Sequence, residues 1–224
     1  LSREVNMPTS SAILQKFLKD GFVIVPNVLD REEALSLREP LQKAIDEDLK
    51  KWGDNPYYID HWMVHNLMVR GKPFLHLLDH PVMHEHLATV LDEHCIIYAY
   101  TTSSMPPRGT NYSRRVHVDC PRVIPGYVTN VGWLIALDDF TAENGATYCL
   151  PGSQERLDVP SDAEFYRDAV RWLIKAGDAV LFNARLFHAG GEDIVLGPVS
   201  ILIENLLANE EDWRFKNAGL HILS

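Results

Sequence analysis

Cysteine is scarce, with 3 in 224 residues, and none of Cys95, Cys120 and Cys149 stands in a C-x-x-C pair. So odd and scattered a set excludes a disulfide framework and a zinc knuckle, and it reads as reduced thiols of a cytoplasmic protein. Basic residues are also few, 21 Lys and Arg against 31 Asp and Glu, for a net charge of −10. They occur singly or in short pairs such as Arg114-Arg115, leaving no stripe that could follow a phosphate backbone, so nucleic acid is not an expected partner. No apolar run approaches the roughly 20 residues that span a bilayer, and the basic-then-apolar pattern of a signal peptide is missing, so no membrane association is expected. The chain opens at Leu1 and not at Met, so a native start can precede it. Internal repeats and low-complexity stretches are lacking as well.

What remains is 46% hydrophobic, enough at this length for one well-buried core and a single domain spanning 1–224. Residues 1–94 read as a mostly helical preface and lid. Ser10 or Ser11 can cap a helix over 12–19 that Gly21 ends, Phe22-Val-Ile-Val25 is a β-branched strand stopped by Pro26, and Asp30 caps a second helix reaching to about residue 49. Residues 52–71 mix aromatics and histidines without a clean period, and a short helix is expected over 83–91. Residues 95–207 read as strands at 95–102, 116–119, 127–137, 146–150, 170–174, 179–187 and 199–207, separated by Pro-, Gly- and Asn-rich turns. Residues 208–224 are left as a C-terminal tail. Seven or so short strands without crossover helices point to a jelly roll or barrel.

In an extended strand, residues two apart share a face, so His117 and Asp119 point together while Val118 points away. Alone, that tripeptide is most simply a surface His beside an Asp. A second histidine, His188, closes the apolar run 179–187 and precedes Ala189-Gly190-Gly191, where the glycines let another group approach. Two imidazoles and a carboxylate leave coordination sites open, an arrangement that suits Fe(II), although the same donors also suit zinc. His80, His84 and His86 share one helical stretch and are expected as solvated polar residues.

The ordered blocks Arg115-Val-His-Val-Asp-Cys-Pro-Arg122, Glu143-Asn-Gly-Ala146, Leu150-Pro-Gly-Ser153 and Phe187-His-Ala-Gly-Gly191 resemble the signature of phytanoyl-CoA dioxygenase-like enzymes, over about residues 22–207. The resemblance implies a mainly β, cupin-like double-stranded β-helix (jelly roll) with N-terminal helices packed on it. It also implies a dioxygenase using Fe(II), dioxygen and 2-oxoglutarate to oxidise a small organic molecule. By resemblance, His117, Asp119 and His188 are the iron ligands, and Trp133 and Thr129 lie beside the cosubstrate. The family also has an Arg some ten or eleven residues after the distal histidine, clamping the far carboxylate of 2-oxoglutarate. Here that stretch reads Leu196-Gly-Pro-Val-Ser200, and no Lys or Arg falls between Leu186 and Trp213. Arg115, which shares parity with the ligands, and Arg114 are the substitutes, while Arg185 has the opposite parity. Tyr57, Tyr58, His61, Trp62, Tyr112 and Arg122 are candidate substrate contacts. Two other readings stay open: a jelly-roll metalloenzyme that does not use 2-oxoglutarate, and a non-catalytic ligand-binding member of the fold.

Overall fold

The computed structural model describes residues 10–58, 63–91, 95–104, 112–191 and 219–223. The expected strand at 199–207 lies outside them, as do His61 and Trp62. Helix α1, Ser10–Asp20, ends at Gly21, whose N–H returns to the Phe17 carbonyl at 2.8 Å. Gly21 has φ +81°, and a Cβ there would lie 2.4 Å from Gln154 Oε1, so both conformation and close approach call for glycine. Strand β1, Phe22–Val25, follows directly.

Asp30 caps the next helix with a full capping box: it accepts from the Glu33 N–H, while the Glu33 carboxylate accepts from the Asp30 N–H. The expected single helix is two, α2 (Arg31–Ser36) and α3 (Arg38–Trp52). The break has local causes. Ser36 Oγ donates to the Glu33 carbonyl at 2.7 Å, and Pro40 lacks an N–H, which is tolerated only in a helix's first turn. Helices α4 (Lys72–Leu77) and α5 (Pro81–Val90) complete the preface.

Strands β2 (Ala99–Ser103), β3 (Val131–Ala136), β6 (Ala179–Asn183) and β8 (Gly219–Leu223) join β1 in a five-stranded antiparallel sheet ordered β1-β6-β3-β8-β2. Strands β4 (Tyr148–Cys149), β5 (Val170–Arg171) and β7 (His188–Ala189) form a three-stranded antiparallel sheet ordered β5-β4-β7. Within the segment read as a tail, 219–223 is thus a strand inside the larger sheet.

Three apolar layers organise these elements. Val131, Trp133 and Ile135 of β3 pack with Phe17, Leu41, Ile45 and Met83 of the helices. The alternate residues Leu134 and Ala136 pack with Phe182, Val180, Cys149 and Trp172 between the two sheets. On the far side of the small sheet, Phe187 and Ala189 lie with Phe165 of α6 (Asp162–Asp168) and with Val116 and Val118. All six residues of β3 are buried, which explains why its sequence runs apolar without alternation.

Of the expected strand at 179–187, only Ala179–Asn183 is a strand, β6. After Asn183 the chain turns through Ala184-Arg185-Leu186 and re-enters as β7 in the small sheet. Both pieces are buried on both faces, so the apolar pattern does not mark the crossing. Residues 95–98 stay outside β2, with Ile96 and Tyr98 exposed. His86, expected in solvent, is buried and packs edge-on to Trp133, with ring centroids 5.7 Å apart.

Candidate metal centre

Residues 116–119 do not form a regular strand. One antiparallel bridge joins His117 to His188, each N–H donating to the other's carbonyl at 3.0 Å. The N–H groups of Asp119 and Cys120 then both go to the Ala184 carbonyl, at 2.9 and 3.0 Å, which ends the pairing. The alternation survives nonetheless. Val116 and Val118 face the outer layer, while His117 and Asp119 meet His188.

The ligand atoms of His117, Asp119 and His188 lie within 4.8 Å of one another, and this is the only such group of three found among the described residues. Asp119 Oδ1 is 3.6 Å from His117 Nε2 and 3.7 Å from His188 Nε2. His117 Nδ1 lies 2.6 Å from the Arg115 carbonyl and His188 Nδ1 lies 2.9 Å from the Leu186 carbonyl. A carbonyl can only accept, so both Nδ1 atoms carry protons, which leaves each Nε2, turned toward the carboxylate, as the atom that can bind a metal. Metal-binding histidines are commonly held this way, with the ring nitrogen away from the metal bonded to a carbonyl, and the donor set fits a divalent ion. Burial pulls the His117 pKa down, but the adjacent Asp119 carboxylate and the Arg115 carbonyl outweigh it and hold the imidazole above its ordinary value.

The remaining signature blocks are clips around β7. Ser153 Oγ accepts the Phe187 N–H at 2.9 Å, Gly145 O accepts the Gly191 N–H at 2.9 Å, and Ser113 O accepts the Gly190 N–H at 2.7 Å. Asn144 folds its own turn, its Oδ1 accepting from Thr141 N–H and its Nδ2 donating to the Asp139 carbonyl, both at 2.7 Å. Arg185, pointing away from the triad as its parity requires, donates to the carbonyls of Gln154 at 3.1 Å, Pro121 at 2.9 Å and Arg156.

Trp133 is fully buried in the helix-facing layer, whereas His188 contacts Trp172 and Phe182 in the layer between the sheets. The indole therefore sits on the opposite face of β3 from the layer that His188 contacts. Thr129, half-buried, precedes β3 outside regular structure, so strand parity does not place it. Arg114 and Arg115 are exposed at the entry to the site, and Arg115 is near enough to His117 to oppose its protonation. Arg122 is exposed in the loop after Cys120. Tyr57 and Tyr58 line a separate cavity of about 760 Å³ with Trp52, His65, Asn66 and Arg70. None of the three candidate ligands lines it. Tyr112 begins a 3-10 turn through Arg114, and its side chain is outside the described residues. Sequence reasoning missed Trp172 and Phe182 beneath His188; their apolar character was legible, but not the sheet crossing that brings them together.

A family model described as phytanoyl-CoA dioxygenase matches residues 17–194. An uncharacterised protein of Mycobacterium tuberculosis is 29% identical over 180 residues, covering 77% of this chain and 66% of that protein. The dioxygenase aneA of Aspergillus aculeatus is 27% identical over 203 residues, covering 80% of this chain and 65% of its own length. The chain thus spans 65–66% of the length of these relatives. The non-haem alpha-ketoglutarate-dependent carbocyclase SnoK from nogalamycin biosynthesis shares the fold, with a TM-score of 0.67 at 17% identity over 97% of this chain and 83% of that one. Among the described residues, no helix is long and apolar enough to cross a membrane.

Proposed function

The chain belongs to the phytanoyl-CoA dioxygenase family, and from that membership we propose that it is a non-haem Fe(II)/2-oxoglutarate-dependent dioxygenase oxidising a small organic molecule. The observation that carries the reading is the convergence of two Nδ1-anchored imidazoles and one carboxylate within 4.8 Å. On this reading the two antiparallel sheets enclosing the apolar layer are a double-stranded β-helix, one oxygenase domain with its helices packed on the larger sheet.

His117, Asp119 and His188 would hold Fe(II). When bound, the iron with 2-oxoglutarate and dioxygen supplies the oxidising power, 2-oxoglutarate leaving as succinate and carbon dioxide. The chain's own contribution is orientation and dryness. The Arg115 and Leu186 carbonyls fix the two rings, and Phe182, Trp172 and Leu186 fill the space behind His188 against water. Arg115 or Arg114 would meet the far carboxylate of 2-oxoglutarate, and Arg122, Tyr112, His61 and Trp62 are the proposed substrate side, with Tyr57 and Tyr58 set apart in the separate cavity.

A second reading rests on one specific feature, the lack of Lys or Arg between Leu186 and Trp213. It makes the protein a metalloenzyme of the same fold that does without 2-oxoglutarate. Succinate release from 2-oxoglutarate, measured with and without Fe(II) in the wild type and in Asp119→Ala, separates the two. Iron-dependent succinate lost in the variant supports the first reading. Oxygen uptake indifferent to 2-oxoglutarate supports the second.

A further inference from the structure

We propose that Trp172 is a positioning residue for the metal ligand His188, holding the imidazole in its ligating plane from below. The inference rests on the metal-centre reading above. His188 is 3% exposed, and the Trp172 indole, fully buried, lies under it nearly parallel, with centroids 6.4 Å apart and planes 22° apart. Phe182 meets the same imidazole edge-on at 5.4 Å and 65°, and meets Trp172 at 5.3 Å. Phe22 closes the far side of the indole at 5.8 Å. All these separations fall in the range of favourable aromatic contact, and the two pairs that include His188 are stacked and edge-on.

The arrangement is built from several elements. Trp172 follows β5, where its N–H donates to the Thr147 carbonyl at 2.9 Å. Phe182 stands on β6 opposite Gly132 of β3, and a Cβ on Gly132 would lie 2.3 Å from the Phe182 ring, so glycine at 132 is what admits that ring. Across β4, the buried Cys149 is the register partner of His188. The Leu186 carbonyl at Nδ1 fixes one in-plane direction of the imidazole, but a single hydrogen bond still lets the ring rock about the Cβ–Cγ bond. Contact on one face and one edge removes that freedom. A metal bound at Nε2 draws charge from the ring, and the negative face of an indole favours the resulting partial positive charge.

The test uses the full chain loaded with Co(II), whose visible d–d bands report ligand geometry without any turnover. Trp172→Phe, Trp172→Leu, Phe182→Leu and His188→Ala are compared by chelator-competition affinity, by the d–d spectrum and by thermal midpoint without metal. Trp172→Leu is expected to weaken Co(II) binding about tenfold or more and to shift the d–d bands, while Trp172→Phe, which keeps a ring beneath His188, stays within about threefold of wild type. Phe182→Leu decides the same question from the other contact if Trp172→Leu does not fold. Unaltered affinity and spectrum in the folded Leu variants, with only the midpoint lowered, would make Trp172 ordinary core and overturn the proposal. Absence of Co(II) binding in the wild type overturns the metal-centre reading and this inference with it, whereas wild-type binding lost in His188→Ala but unchanged in the Leu variants overturns this inference alone.

Discussion

Replacing Arg185 with Met should show how much of the site's rigidity depends on a residue that never touches it. The guanidinium donates to three backbone carbonyls, those of Pro121, Gln154 and Arg156. It ties the loop after Asp119 to the turn after Ser153, next to the Ala184 carbonyl that receives the Asp119 and Cys120 N–H groups. A hydrogen bond to a charged group contributes about 1.5–3 kcal/mol. Arg185 is only half-buried, and water recovers part of each loss, so the net cost of removing all three is put at about 2–4 kcal/mol. For a chain of this size that lowers the thermal midpoint by roughly 5–15 °C. Met keeps the aliphatic stem packed, so the loss reports the fork and not a cavity. Lys, a point charge that cannot reach three acceptors at once, should recover less than half of it. The assay is thermal unfolding followed by circular dichroism, with metal affinity measured alongside. A midpoint for Arg185→Met within about 2 °C of wild type would refute the reasoning, since it would mean that these carbonyls are as well served by water.

Two further substitutions probe the frame beside β7 and the turn that follows β3. Gly191→Ala places a Cβ 2.4 Å from the Gly145 and Ala146 carbonyl oxygens, which are backbone and cannot swing aside, so urea unfolding should show a loss of about 1–3 kcal/mol. Asp139 accepts from the Ala176 N–H, Arg31 and Lys175; burial alone would raise its carboxyl, but these partners outweigh it and hold the group at about 2 against an ordinary 3.8. A depressed carboxyl stabilises fully above its unfolded value and ceases to do so as pH falls through the folded one. The wild-type midpoint should therefore drop between about pH 4 and pH 2 more steeply than that of Asp139→Asn, and parallel acid titrations of the two would contradict this.

The pairing of His117 with Asp119 was legible in the sequence because its geometry is local. A two-residue spacing puts His117 and Asp119 on one face whether or not the strand is regular, and the apolar run before His188 marks a buried element. The caps were legible for the same reason: Asp30 with Glu33 and Gly21 after α1 are settled within one turn of chain. What escaped depends on distant partners. The stretch 179–187 conceals a change of sheet at Ala184-Arg185-Leu186, because the residues on either side are buried on both faces and carry no period, and only Asn183 and Arg185 interrupt them. Trp133 was placed by the resemblance, which does not say which of the two layers its side chain faces. Helix α5 settled it by covering that face with His86 and Met83.

The most direct test of the central claim is an anaerobic titration of metal-free protein with Fe(II) and then 2-oxoglutarate, watched for the visible metal-to-ligand charge-transfer band, beside His188→Ala. A band that saturates with 2-oxoglutarate in the wild type and is missing in the variant is the predicted result. Tight Fe(II) binding with no band at any 2-oxoglutarate concentration would contradict the cosubstrate assignment, and an equal band in His188→Ala would contradict the triad.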